Sequence, residues 1–310
     1  VAAEPPGRPP AATPAPGRPP RREARVLAGI GFIAAATLLF AVMNTAVKLL
    51  SAGLPTVELI WARSLGHLVF VVALFGPGHG GWRLFATRRP ELQIGRSLLL
   101  LASTSFFFSA IGRVPLADAT AVSFTSPFIV AAAAGPLLRE RLGRDRWAAI
   151  AAGFVGALIV IRPGAGASPY LALVVASAGC YALYQILTRK VAGIDPPETS
   201  VTYSALVGTV LLSLLVPFHW RTPDGAGAWL ALAGLGLLGG LGHYFVARGL
   251  TLGPASVLSP FHYVQLVWAA ALGYAVFADV PSLWTWLGAA VIVAGGLYIA
   301  WRETRRPGAP

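Results

Sequence analysis

A chain of 310 residues that is 56% hydrophobic and only 12% charged has too much apolar surface for one soluble core. Its formal charge of +12 would suggest nucleic acid in a soluble protein, but the arginines flank apolar stretches long enough to cross a bilayer, which points to lipid headgroups. The single cysteine, Cys180, excludes an internal disulfide and a cysteine-based metal cluster.

Residues 1–25, VAAEPPGRPPAATPAPGRPPRREAR, lack the apolar core of a signal peptide and read as a disordered Pro/Arg-rich cytosolic tail. Ten apolar segments follow, at 26–50, 55–76, 94–112, 115–138, 146–162, 169–190, 197–217, 227–248, 254–277 and 283–301, and a short cytosolic tail, 303–310, closes the chain. The fifth segment is the shortest. Prolines at 55, 90, 115, 169, 196, 197, 254 and 281 punctuate the connections.

With the N-terminus in the cytosol, inner segments and tails hold 19 Lys and Arg residues, and outer ends hold only Lys48, Arg113, Arg162 and Arg221. That asymmetry predicts cytoplasmic N- and C-termini and an even number of spans.

The second half echoes the first at a constant offset of 139 residues. Phe106 matches Phe245, Pro115 matches Pro254, Glu140 pairs with Asp279, and Trp147 and Gly156 match Trp286 and Gly295. The segment RERLGRDR, 139–146, is strongly basic, and its mate ADVPSLWT, 278–285, has no basic residue. Five spans per half therefore predict repeats that enter the membrane in opposite senses, 26–163 and 168–302, as in many secondary carriers.

PLLRERLGRDRWAAIAAGFVGALIVI in the first half and GPASVLSPFHYVQLVWAAALGYAVFADVPSLWTWLGAAVIVAGGLYIA in the second carry a family resemblance. The chain is similar to the ten-helix EamA-type carriers of the drug/metabolite transporter superfamily. The match leaves out the tails, and Asp279 stands at the second acidic position where the family has Glu. The resemblance implies an all-α membrane protein, ten transmembrane helices in two inverted five-helix repeats around a central cavity. It also implies that the first, third, fourth, sixth, eighth and ninth helices line that cavity.

Polar side chains within the spans supply the candidate site, because hydrocarbon tolerates them only against a cavity or another helix. Asn44 lies deep in the first span, with Lys48 near its end reading as a snorkelling residue. Arg63 and His67 share a face of the second span and read as structural polar groups, Arg63 bonding a carbonyl or Glu58. Ser105 in the third span and Ser123 in the fourth join the cavity set.

In the sixth span Ser177, Tyr181, Tyr184, Gln185 and Thr188 form one polar, aromatic stripe expected to line the cavity. The eighth span offers His243 and Tyr244 beyond a Gly236/Gly240 contact face. The ninth offers His262 and Tyr263 within SPFHYVQLVW. Pro127 and Pro260 read as hinges, each leaving a carbonyl, of Ser123 and Ser256, without its helical donor.

These features predict a carrier of the bacterial inner membrane that exports small metabolites, with amino acids as the first substrate class, by alternating access. Its expected partners are a small-molecule substrate and membrane lipid, with no nucleic acid, metal or cofactor. A carrier of nucleotide sugars in the same superfamily is the alternative. A membrane-embedded enzyme is disfavoured because His243 and His262 have no carboxylate in their own helices to form a catalytic or metal site.

Overall fold

Proline and the left-handed backbone set the helix ends. Pro90 and Pro197 each open a helix at its first position, where the missing N–H has no intrahelical partner to lose. At the other end, Arg162 and Ala278 adopt positive φ, 49° and 55°, and terminate their helices.

The computed structural model describes residues 21–79, 81–138, 143–164 and 168–304. Most of the expected N-terminal tail, residues 139–142 with Glu140, and the end of the chain lie outside the described residues. In chain order the helices are α1 Arg21–Leu50, α2 Thr56–His79, α3 Pro90–Ile111, α4 Leu116–Ser123, α5 Ser126–Leu138 and α6 Arg144–Ile161. They continue as α7 Tyr170–Val191, α8 Pro197–Leu215, α9 Gly225–Leu250, α10 Ala255–Leu258, α11 Val264–Phe277 and α12 Leu283–Thr304. A 3₁₀ segment, Ser259–Tyr263, joins α10 to α11. Helix α1 begins at Arg21, earlier than the expected start at 26, so the last five residues of the expected disordered tail are helical.

Eight stretches are long and apolar enough to cross a membrane, counting α4 and α5 together. The other two expected spans are the short apolar helix α6, with its apolar part at Trp147–Ile161, and the interrupted ninth, α10 to α11. The chain is an all-α membrane protein of two inverted five-helix repeats, with no strand among the described residues.

The packing repeats as the sequence does. Helix α3 lies on α7 as its mate α9 lies on α1, and α2 lies on α9 as α8 lies on α3. Helices α6 and α12 are mates and pack on each other. The main apolar core gathers Met43, Val47, Leu59, Phe108, Ile111, Leu235 and Leu266. A smaller one, Phe128, Ala131, Ile150, Ala157 and Ile292, joins α5, α6 and α12. Outward leucines such as Leu214 and Leu230 are exposed, which suits a chain whose solvent on that face is lipid.

The expected proline kinks are breaks instead. Helix α4 stops at Ser123, and Pro127 sits in the first turn of α5, where it starts a helix rather than bending one. Pro260 lies inside the 3₁₀ segment. At the 139-residue offset Phe124 falls on Tyr263, the last residue of the 3₁₀ segment, so the interruptions of the two repeats overlap at that position.

Candidate functional site

The centre is assembled by one close helix crossing. A Cβ on Gly236 of α9 would collide with the backbone of Gly66 in α2, so only two glycines allow this approach. One turn along α9, a Cβ on Gly240 would press on Phe70 and, at 3.1 Å, on His67. The crossing stacks the His67 and His243 rings, 5.6 Å apart and nearly parallel at 8°. Phe40 of α1 closes edge-on against His243 at 5.0 Å.

Arg63 lies one turn before His67 and reaches from α2 toward α1, α3 and α9. Its guanidinium is 6.0 Å from the Phe108 ring, and a Cβ on Gly239 would approach its Nε at 3.5 Å and the Met43 sulfur at 3.2 Å. The expected partners of Arg63 are elsewhere. Glu58 accepts a bond from the Arg221 backbone N–H at 3.1 Å, and its second carboxylate oxygen has no partner among the described residues. Arg63 is 9% exposed and His67 5% exposed, and Arg63 Nε and His67 Nε2 are both buried without a hydrogen-bond partner among the described residues. Both side chains line a cavity of ≈ 10 Å³ with Ser64, Thr104, Ser204 and Gly208, room for about one water molecule.

Part of the sixth-span stripe meets α3, through Ser177, Tyr184 and Thr188, while Tyr181 is 37% exposed. Ser177 Oγ donates to the Ser103 carbonyl at 2.8 Å, and Ser103 Oγ donates back to the Ser177 carbonyl at 3.0 Å. Tyr181 and Tyr184 stack on each other at 5.6 Å, and Gln185 donates to Ser126 Oγ at the start of α5, 3.3 Å. Ser105 and Ser123 each bond a carbonyl of their own helix, Leu101 and Thr120, so their hydroxyls are already satisfied. Asn44 is buried and makes no side-chain hydrogen bond to a described residue. Tyr244 sits beside Phe75 and Phe245. Tyr263 sets its ring edge-on to Phe124 and its hydroxyl over Gly296 of α12, and His262 is half-buried beside it.

Arg96, counted by sequence as a headgroup charge, is 1% exposed. It donates to the Ser200 carbonyl at 2.6 Å, Tyr184 Oη at 2.9 Å, Thr188 Oγ1 at 3.0 Å and Gln93 Oε1 at 3.1 Å. Gln93 donates onward to Asp195 at 2.8 Å, which also accepts from the Arg88 N–H and from the Thr87 hydroxyl. Desolvation raises the Asp195 pKa, yet the bonds from Thr87, Arg88 and Gln93 outweigh it and hold this carboxyl below the usual aspartate range. The signal for this network was present: an arginine only six residues past Pro90, with Gln93 one turn before it on the same face.

At the other end of the bundle, Lys48 does not snorkel outward. It donates to Asp279 at 2.6 Å and to the Val114 carbonyl at 2.9 Å, under the Phe277 ring, and so ties the first repeat to the second. Thr285 donates to Asp118 at 2.6 Å and makes a second tie between the repeats.

A riboflavin transporter of Vibrio cholerae is 34% identical over 62% of this chain and 65% of its own length, so the matched stretch spans just under two thirds of that protein. A riboflavin transporter of Rhizobium johnstonii is 31% identical over 74% of this chain and 76% of the relative. An S-adenosylmethionine uptake transporter of Rickettsia felis is 26% identical over 90% and 94%. A crystal structure of a protein 21% identical superposes with a TM-score of 0.62, covering 91% of this chain and 99% of that one, which is a likeness of fold alone. The EamA-like transporter family matches residues 27–162 and again 168–301, once for each half of the molecule, and the chain belongs to that family.

Proposed function

We propose that the chain carries a planar, acceptor-rich metabolite of the flavin type across the bacterial inner membrane, by alternating access of its two repeats. The observation that carries this reading is the centre itself. An arginine without a hydrogen-bond partner among the described residues stands near stacked and edge-on rings, His67, His243, Phe40 and Phe108. Such a wall offers stacking faces to a flat heterocycle and donors to its carbonyls. The two riboflavin transporters among its relatives favour the same class.

Among the described residues, no carboxylate lies mid-span; Glu58 and Asp118 both sit in the first turn of their helices. We read transport as downhill, inward or outward with the solute gradient. The helices interrupted at Phe124 and Tyr263 are the parts that move, with Pro127 just after the first break and Pro260 within the second. The charge asymmetry supports cytoplasmic termini.

Export of amino acids is the second reading, favoured by the same Arg63, whose guanidinium suits a carboxylate. Its ammonium would have only neutral acceptors such as Asn44 in the centre. Tritiated riboflavin and tritiated leucine offered to proteoliposomes holding the full chain separate the two. Riboflavin movement above that of empty vesicles is expected. Leucine movement without riboflavin movement replaces the first reading with the second.

A further inference from the structure

We propose that Arg63 and His67 on α2, with Thr104 on α3, form a subsite for a paired-acceptor edge of the solute. That edge is either the carbonyl–nitrogen edge of a planar heterocycle or the two oxygens of a carboxylate. The inference deepens the reading of the chain as a metabolite carrier and rests on it.

The argument starts from cost. A guanidinium taken out of water is destabilising unless hydrogen bonds replace its hydration. Arg96 shows how this chain meets that need, with four acceptors around one buried guanidinium. Arg63 is the counterexample. It makes no hydrogen bond to a described residue, its Nε is buried without a partner among them, and its guanidinium lies 6.0 Å from the Phe108 ring. Glu58, on its own helix, is turned to Arg221.

The imidazole one turn on repeats the pattern, with Nε2 buried and unpartnered. Both groups face one cavity whose remaining polar lining is hydroxyl: Ser64, Thr104 and Ser204. Of these, Ser204 already donates to the Ser200 carbonyl, whereas the Thr104 hydroxyl is uncommitted among the described residues. The cavity of ≈ 10 Å³ has room for about one acceptor atom, so seating the pair requires it to widen, and a ring does not enter it.

A fork of guanidinium donors matches two acceptors held side by side, which a lysine ammonium cannot reproduce. This assigns to Arg63 the specificity for an acceptor edge and leaves the rings to select the body of the solute.

The test is equilibrium binding of tritiated riboflavin and of tritiated leucine to the purified full chain in nanodiscs. Wild type is compared with Arg63→Gln, Arg63→Lys and Thr104→Val, each checked for a monodisperse elution profile. Arg63→Gln is expected to raise Kd about tenfold or more for whichever probe wild type binds. Arg63→Lys recovers only part of that affinity, and Thr104→Val weakens binding about threefold.

Riboflavin binding with this dependence supports both the subsite and the flavin reading. Leucine binding alone, with the same dependence, supports the subsite and overturns the flavin reading. Riboflavin bound equally by wild type, Arg63→Lys and Thr104→Val overturns the subsite and keeps the flavin reading, even where Arg63→Gln fails to fold. No binding of either probe by wild type overturns both.

Discussion

Phe124 and Tyr263 hold the same position in the two repeats, 139 residues apart, and they touch edge to face with ring centroids 5.0 Å apart. Mates that meet each other lie on the axis relating the two halves. Each also stands at the break in its own helix, so the axis passes where the backbone of both repeats is interrupted. In the alternating-access motion proposed above, rocking one repeat against the other would change contacts at this pair while the flanking helices move as rigid pieces.

The Tyr263 hydroxyl rests over Gly296, with no room for a side chain there. Gly296→Ala is therefore expected to lower the Tm, and transport with it, because a methyl would overlap the hydroxyl and crowd the ring carbon behind it at 2.7 Å. Adding Tyr263→Phe removes the nearest atom and should recover part of the Tm. A double variant no better than Gly296→Ala would show that the ring, not the hydroxyl, sets the contact.

Arg96 is expected to be a stability residue. Removing its side chain leaves the Ser200 carbonyl, the Gln93 amide oxygen and two hydroxyls without their donor, at a cost of about 3 kcal/mol. Arg96→Lys should recover little, because one ammonium cannot reach acceptors spread around a planar fork. Denaturation of both variants in mild detergent checks this, and a Lys variant as stable as wild type would contradict it.

Asp195 gives a pH signature. Its folded pKa lies below the unfolded value of about 3.9, so the stability it contributes is fully present above that pH and is lost as pH falls through the folded pKa. The Tm of wild type minus that of Asp195→Asn should therefore be constant from neutrality to about pH 5 and shrink below about pH 4. A difference that does not change on acidification would remove Asp195 from the network's energetics.

Much of this was legible in sequence, and the rest was hidden for physical reasons. The spans, the repeat offset and the Gly236/Gly240 contact face follow from hydropathy, proline position and small-residue spacing, which are local properties. The roles of Arg96 and Lys48 do not. Each lies near a helix end, where sequence cannot distinguish a charge reaching headgroups from one folded back onto a partner. The partners, Ser200 and Asp279, are 104 and 231 residues away. The stripe on α7 is polar by sequence, but that Ser177, Tyr184 and Thr188 bond α3 while Gln185 bonds α5 is a choice made by tertiary packing. Pro127 was visible as a helix disturbance, and only the positions of Ser123 and Ser126 show that it opens a new helix.

Lys48 and Asp279 should be coupled. Their side chains are 13% and 30% exposed, so water screens the pair and a coupling of about 1 kcal/mol is expected from a double-mutant cycle with Lys48→Met and Asp279→Asn. Since the pair joins α1 to the segment between α11 and α12, each single variant is also expected to change the transport rate. Additive effects on stability would show that the ion pair contributes nothing beyond its parts.

The contact between α6 and α12 makes an ordered prediction. Gly156 and Gly295 are mates, as are Ala149 and Gly288, and the observed contacts are Gly156 with Gly288 and Ala149 with Gly295. The two contacts are images of each other, but they are not equally tight. A Cβ on Gly288 would come 2.5 Å from the Gly156 carbonyl oxygen, and one on Gly156 would come 2.8 Å from the Gly288 carbonyl oxygen. Backbone cannot yield there without separating the helices. A Cβ on Gly295 would meet the Phe128 ring at 3.2 Å and the Ala149 carbonyl oxygen only at 3.4 Å. Gly288→Ala and Gly156→Ala are thus expected to destabilise by about 1–3 kcal/mol, and Gly295→Ala by less. Thermal melts of the three purified variants test the order. Gly295→Ala melting lowest would mean that the Phe128 ring, rather than the glycine crossing, is the rigid side of this interface.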